Sequence, residues 1–246
     1  MLKIEDVFIF GFRSLISKVY ELSDDKFSSD SEFNVDCAVC DNPYYNCDNC
    51  PMALYDNIAL LSPKDIKHIK ELSQKPYCKE KLLSRVHINF EITAPIYWWM
   101  EYSEYDPDMS ISNTSLFLSV LKDEVAFEDF SIEDIYSTEA IQSANKSDDH
   151  TSLLPKQILE LNIDLLNALR EKALDLLVSE RYESIYAKQI ISMIPSSYNI
   201  KSAVGISYDT LSKIYRDKKD SKNREWQQMI DWIESLPYFT LIKGVK

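Results

Sequence analysis

Glycine is nearly absent: Gly11, Gly205 and Gly244 are the only three in 246 residues, where average usage of about 7% would supply roughly 17. A Walker-type phosphate loop or a dinucleotide fingerprint needs two or three glycines within about eight residues, because the backbone itself must approach the phosphates. No two of these glycines lie that close, so both devices are excluded. The glycine loop of protein kinases and the Gly-x-Ser-x-Gly hydrolase elbow fail on the same ground. Histidine is equally scarce: His68, His87 and His150 each lack a sequence neighbour that would complete a catalytic pair. Cations are outnumbered, 27 Lys and Arg against 40 Asp and Glu, for a net charge of −13. Repulsion of that sign argues against broad binding to a nucleic-acid backbone or an anionic membrane. It leaves room for a local basic pocket, or for an acidic face that docks a basic partner. Apolar runs fall far short of the roughly 20 residues that span a bilayer. Glu5 and Asp6 interrupt the apolar start, unlike a signal peptide. The expectation is a cytoplasmic chain.

What is present is the composition of a folded globule, 45% hydrophobic and 12% aromatic, long enough for one large domain or two small ones. Val7, Ile9, Leu15, Ile16 and Val19 suggest a strand leading into a helix over residues 1–20, followed by a polar loop over 23–36. Ser62, Pro63 and Asp65 predict a helix start, an N-cap followed by a first-turn proline and an acid at the third position, running to about Ser73. Val86, Ile88, Phe90 and Ile92 alternate with polar residues, the mark of a half-buried strand that Pro95 interrupts. An aromatic stretch, Tyr97 to Tyr102, leads into a polar segment at 103–115. The acidic, serine-rich residues 127–150 predict an exposed excursion. Between Pro155 and Glu180, Leu159, Ile163, Leu166, Leu169, Ala173 and Leu176 recur at helical spacing and form a core stripe. Further helices are expected over about 183–194, 207–217 and 223–235.

Four of the five cysteines form Cys37-x2-Cys40-x6-Cys47-x2-Cys50. Paired Cys-x2-Cys turns suit a tetrahedral cation, zinc before any harder ion. The six-residue spacer is shorter than in zinc ribbons, and Asn42, Pro43 and Asn46 are turn formers that permit so short a loop. Four ligands would close the coordination shell, so zinc here would be structural. Free thiols and redox pairing are the other readings. Cys78 stands alone, as small buried hydrophobes do. Asp and Glu pairs abound, but 40 acids guarantee pairs by chance, and no catalytic carboxylate couple stands out. The run Arg216 to Arg224 is the one basic cluster, open to two readings: a phosphate grip, or charges suited to a helix C-terminus.

Two stretches carry a resemblance. The first is Glu91-Ile-Thr-Ala-Pro-Ile-Tyr-Trp-Trp-Met-Glu-Tyr-Ser-Glu-Tyr-Asp106, followed by Ser110-Ile-Ser-Asn-Thr-Ser115. The second is Met193-Ile-Pro-Ser-Ser-Tyr-Asn199, then Tyr208 to Lys218, then Glu225-Trp226. In order and spacing they resemble the flavin-dependent thymidylate synthases, more closely a divergent branch common in phage genomes. The resemblance spans roughly residues 85–120 and 155–240. It implies an α/β (α+β) fold with a small central sheet and long helices, residues 85–246 forming the core and residues 1–84 an N-terminal segment that carries the cysteine loop. It further implies a homotetramer, FAD, and a pyrimidine nucleotide such as dUMP, gripped by side chains and not by glycine backbone. By position, Ser110, Ser112, Asn113, Ser196, Ser197 and Lys218 would bind the nucleotide, and Trp226 would open a late helix.

The chain departs from the family where phosphate is held. Glu104-Tyr105-Asp106 stands in place of an Arg-His-Arg signature, and Asp209 in place of an arginine. Exchanging two cations for two carboxylates makes anion binding there unfavourable by several kcal/mol. Lys218 for arginine keeps the charge but loses the bidentate fork. The resemblance therefore implies a nucleotide-binding descendant with an altered flavin site. The alternative is a non-catalytic acidic protein of phage origin that binds a host or phage protein.

Overall fold

The computed structural model describes residues 2–23, 28–36, 40–46, 48–52, 55, 59–106, 113–132, 154–177 and 185–243. In chain order the elements are β1 (Lys3–Phe10), α1 (Phe12–Leu22), β2 (Glu32–Phe33), β3 (Ala59–Leu60), α2 (Pro63–Ser73), α3 (Pro76–Leu83), β4 (His87–Pro95), α4 (Ile96–Tyr102) and α5 (Asn113–Lys122). Then follow α6 (Leu154–Leu177), α7 (Ile185–Met193), β5 (Asn199–Ser207), α8 (Tyr208–Lys218), α9 (Arg224–Ser235) and α10 (Phe239–Lys243). The small sheet has the order β1-β4-β5, and β2 pairs antiparallel with β3 through Glu32↔Leu60 and Phe33↔Ala59. This is the expected mixed α/β architecture of a small sheet with many helices. Among the described residues no helix is long and apolar enough to cross a membrane.

The chain divides into two compact units, residues 2–92 with 202–246 and residues 93–201, and passes between them within β4 and again within β5. In the first unit, Phe12, Leu15, Ile16 and Val19 form the buried stripe of α1. Gly11 precedes that helix with φ of 101°, and a Cβ there would meet the Arg85 carbonyl oxygen at 1.9 Å; only glycine permits this approach. Ser62 caps α2, accepting from the Asp65 N–H at 3.1 Å. The Asp65 carboxylate does not reach back to Ser62. It is buried, and one of its oxygens accepts from the hydroxyls of Ser29 and Ser31, while the Ser62 N–H donates to Ser31 Oγ at 2.9 Å. The acid expected to complete a cap thus pins the preceding loop. Cys78 is buried in α3, as expected of a lone cysteine. Trp226, Met229, Ile230 and Ile233 form the buried stripe of α9.

In the second unit, Leu159, Ile163, Leu166, Leu169 and Ala173 line the buried side of α6, as their spacing predicts. Asn167 on that helix closes two bonds with one residue: Oδ1 accepts from the Val125 N–H at 2.8 Å, and Nδ2 donates to the Val125 carbonyl at 2.9 Å. The excursion expected from residue 127 onward starts otherwise. Phe127–Asp129 is a 3-10 turn, and Phe130 is buried and bridged to Tyr198. Residues 133–153 lie outside the described residues. The polar segment expected to reach 115 gives way to helix at Asn113.

Candidate functional site

The residues that carry the resemblance fall on both units, and each group is described within its own. In residues 93–201, β4 ends at Ala94-Pro95 and α4 begins at once. A helix start leaves N–H groups without partners, and no side chain caps this one. Instead the Ile96 N–H donates to the Tyr198 carbonyl and the Tyr97 N–H to the Ser196 carbonyl, both at 3.0 Å. The Ser197 carbonyl accepts from the Ser131 N–H at 2.9 Å, and Ser131 Oγ donates to Asn199 Oδ1 at 2.8 Å. Ser196 and Ser197 therefore serve the fold through their main chain, which leaves the Ser196 side chain exposed and that of Ser197 half-buried. The sequence offers no signal for this carbonyl cap, because the donors and acceptors come from opposite ends of the unit.

Behind that cap sits an aromatic cluster. The rings of Trp98 and Tyr102 stack at 5.0 Å, and Trp99 meets Tyr102 edge-on at 5.6 Å. Trp99 Nε1 donates to the Ile200 carbonyl at 3.2 Å. Tyr102 is fully buried and its hydroxyl has no hydrogen-bond partner among the described residues. Burial pushes its pKa far above the ordinary value, and the neighbouring Asp106 pushes it further. Glu104 is exposed and Asp106 half-buried just beyond the C-terminus of α4. A helix C-terminus already carries partial negative charge, so two carboxylates there give a position hostile to a phosphate. Ser110 and Ser112 lie outside the described residues; Asn113 is the first residue of α5, and its side chain is not described.

In the other unit, Asn223 caps α9 by accepting from the Trp226 N–H at 3.1 Å. Lys218, in the last turn of α8, holds its ammonium 4.6 Å from the Trp226 ring centroid, a favourable cation–π contact. Arg216 shares that last turn and pairs with Asp217 at 2.9 Å. Both cations thus complement the negative end of the helix. Asp209 is turned inward, 8% exposed, in the first turn of α8. Lys213, one turn on, holds it at 2.8 Å, and this bond raises the Lys213 pKa. Close by, Lys79 on α3 donates to Ser212 Oγ at 2.7 Å; burial lowers its pKa, and Asp209 partly offsets this. Sequence reading did not single out this cluster, although the i,i+4 spacing of Asp209 and Lys213 is a visible pairing signal.

The remaining candidates separate. His68 bonds Ser23 Oγ at 2.8 Å, His87 stacks on Phe10 at 5.5 Å, and His150 lies outside the described residues. On the solvent side of the sheet a cleft of about 310 Å³ is lined by Asp6, Asn89, Glu91, Ala203 and Gly205. A Cβ on Gly205 would meet Asn89 Oδ1 at 2.8 Å. Cys40 is exposed and Cys50 half-buried, both as free thiols, and Cys37 and Cys47 lie outside the described residues. Among the described residues there is no group of three or more side chains able to hold a metal.

No protein-family model matches the chain, and no curated protein does. Two solved structures of the flavin-dependent thymidylate synthase ThyX from Helicobacter pylori, each with FAD and dUMP, are similar to it at 19% identity. One covers 75% of this chain and 85% of its own length with a TM-score of 0.47; the other covers 73% and 81% with a TM-score of 0.46. Overlap that loose transfers neither a residue nor a ligand to this chain.

Proposed function

We propose that the chain is a divergent, phage-type relative of the flavin-dependent thymidylate synthases that binds or acts on a pyrimidine nucleotide of the dUMP kind through an altered site. The observation that supports this reading is the fall of the resembling residues on element boundaries. Ala94-Pro95 ends β4 and Trp98-Trp99 lies in the helix that follows. Pro195 ends the helical stretch before Ser196 and Ser197, Lys218 closes α8, and Trp226 stands in the first turn of α9. By the resemblance, Ser110, Ser112, Asn113, Ser196 and Ser197 are candidate neutral hydrogen-bonding groups and Lys218 a candidate cation.

FAD does not fit the same position. Glu104 and Asp106, beside the negative end of α4, replace the cationic signature that the resemblance leads one to expect and disfavour a diphosphate there; Asp209, where the family pattern has an arginine, is held by Lys213. No flavin-dependent step is derived for this chain. Isothermal titration of the purified full chain with dUMP, deoxyuridine and FAD, beside its absorbance spectrum, tests the proposal. The expected result is a colourless protein that binds dUMP and leaves FAD unbound. Absence of dUMP binding at millimolar concentration overturns the nucleotide reading and favours the acidic interaction protein. Copurified flavin overturns the altered site. Light scattering on the same sample tests the tetramer that the resemblance implies.

A further inference from the structure

The periodicity that marks α6 as a core helix accounts for only one of its faces. Leu159, Ile163, Leu166 and Ala173 are buried, whereas Ile158, Leu161 and Leu165 are 53%, 68% and 40% exposed. Their spacing of i, i+3, i+7 sets these three and the exposed Ala168 in one row along the helix. At 1.5 Å per residue the row is about 15 Å long. Single apolar residues on a surface are ordinary, but a row at this spacing is the anchor pattern by which one helix docks on another. The charges beside it are of one sign. At the same pitch Glu160, Asp164, Glu171 and Asp175, all exposed, fall along one flank. Lys172 is the one exposed cation among the described side chains of the helix. The other flank turns into the core at Leu169.

We propose that the row of Ile158, Leu161 and Leu165 docks an amphipathic helix of a different protein, apolar along one face and rich in Lys or Arg beside it. Charge complementarity chooses this occupant. A second copy packed antiparallel would set one acidic flank against another, in a chain already at −13, and like charges at flanking positions repel. A second copy packed parallel would have to offer its Leu169 flank, which its own core already occupies. A basic helix answers both features, with apolar side chains on the row and cations against the four carboxylates. The apolar contact supplies most of the affinity, and the carboxylates select the partner and speed its encounter. The surface is independent of the nucleotide reading, and its test contains no nucleotide.

The test is a fluorescence anisotropy titration of the full chain with a synthetic helical peptide of about 18 residues, Leu along one face and Lys on its flanks. Two controls accompany it: the same composition scrambled, and the same Leu face flanked by Glu. The Lys-flanked helix should bind at least about tenfold tighter than either control, and severalfold more weakly as salt rises from about 50 to 300 mM. Leu161→Gln and Leu165→Gln change no charge and should each weaken binding about tenfold. Tyr77→Gln, at an exposed aromatic of the other unit, should leave it unchanged. Asp164→Lys combined with Glu171→Lys should turn the preference towards the Glu-flanked helix. Equal binding of the scrambled peptide, or full binding in Leu161→Gln, overturns the proposal by reducing it to attraction between net charges. Light scattering runs beside the titration, and an assembly that Leu161→Gln dissolves gives the row to a second copy and overturns it too. If the glutamine variants do not fold, hydrogen exchange of the wild-type chain decides: protection of α6 by the Lys-flanked helix supports the surface, and protection confined to other elements overturns it.

Discussion

Side-chain caps start three helices of one compact unit, although not its α1 and α3, whereas α4 of the other unit starts on distant carbonyls. In residues 2–92 and 202–243, α2, α8 and α9 are capped by Ser62, Ser207 and Asn223, each bonded to an N–H three residues on. In residues 93–201, α4 has no side-chain cap and relies on the carbonyls of Ser196 and Tyr198, and the Val125 backbone relies on Asn167. A local cap works wherever its own few residues are. A distant one works only after the chain between has been placed, so α4 acquires its start together with the tertiary structure around it. Variants should therefore be costlier where distant groups meet than where neighbours do.

The largest effect is expected at the close approach of Gly11 to the Arg85 carbonyl in the first unit. Gly11→Ala, which puts a Cβ against the Arg85 carbonyl at positive φ, should cost about 3–5 kcal/mol in denaturant unfolding. In the second unit, Asn167→Ala strips both groups of the Val125 backbone of their partner. We expect about 2–3 kcal/mol, read from the denaturation midpoint. Asn223→Ala removes one local cap and should cost about 1 kcal/mol in the same assay. A ranking with Asn223 above Asn167 would erase the contrast between distant and local support.

The smallest effect concerns tyrosines. Tyr102→Phe removes a buried hydroxyl that lacks a partner, and its stability at neutral pH should change by no more than about 0.5 kcal/mol, towards greater stability. Alkali should sharpen the point. The folded state raises the Tyr102 pKa while the unfolded tyrosine ionises near 10. The unfolded state thus holds fewer protons above about pH 10, and stability falls as pH rises beyond that value. Tyr102→Phe should remove its share of that fall, up to about 1.4 kcal/mol per pH unit. Equal alkaline slopes for the two proteins would show that Tyr102 ionises as readily folded as unfolded.

Local encoding explains what could be read in advance. Ser62 and Pro63 announced α2, the alternation of Ile88, Phe90 and Ile92 announced β4, and the stripe from Leu159 to Ala173 announced α6. Strand β5 carries a fainter signal: Ile200, Val204 and Ile206 alternate and are buried, but Gly205 and the polar Asn199, Lys201, Ser202 and Ser207 thin the pattern. The candidate site was less legible still. Ser196 and Ser197 stand at a turn that the sequence marks with Pro195, but their use as carbonyl acceptors for Tyr97 and Ser131 depends on residues far off in the chain. Asp209 reads as an acid in place of a cation, and only its burial beside Lys213 and near Lys79 shows where its charge is answered.

The scarcity of glycine and the excess of acid were settled by composition alone. They exclude a backbone phosphate cradle, because peptide N–H groups cannot converge on an anion where side chains keep the backbone away. The helix caps, the core stripes and the cysteine spacing follow equally from residues within a turn or two of one another. Tertiary structure alone decided that α4 is capped by carbonyls, that Asp65 holds the hydroxyls of Ser29 and Ser31, and that the Tyr45 and Tyr238 hydroxyls bond the backbone between Ala59 and Leu61. Each of these pairs groups distant in sequence, and a hydrogen bond depends on where its two groups lie in space.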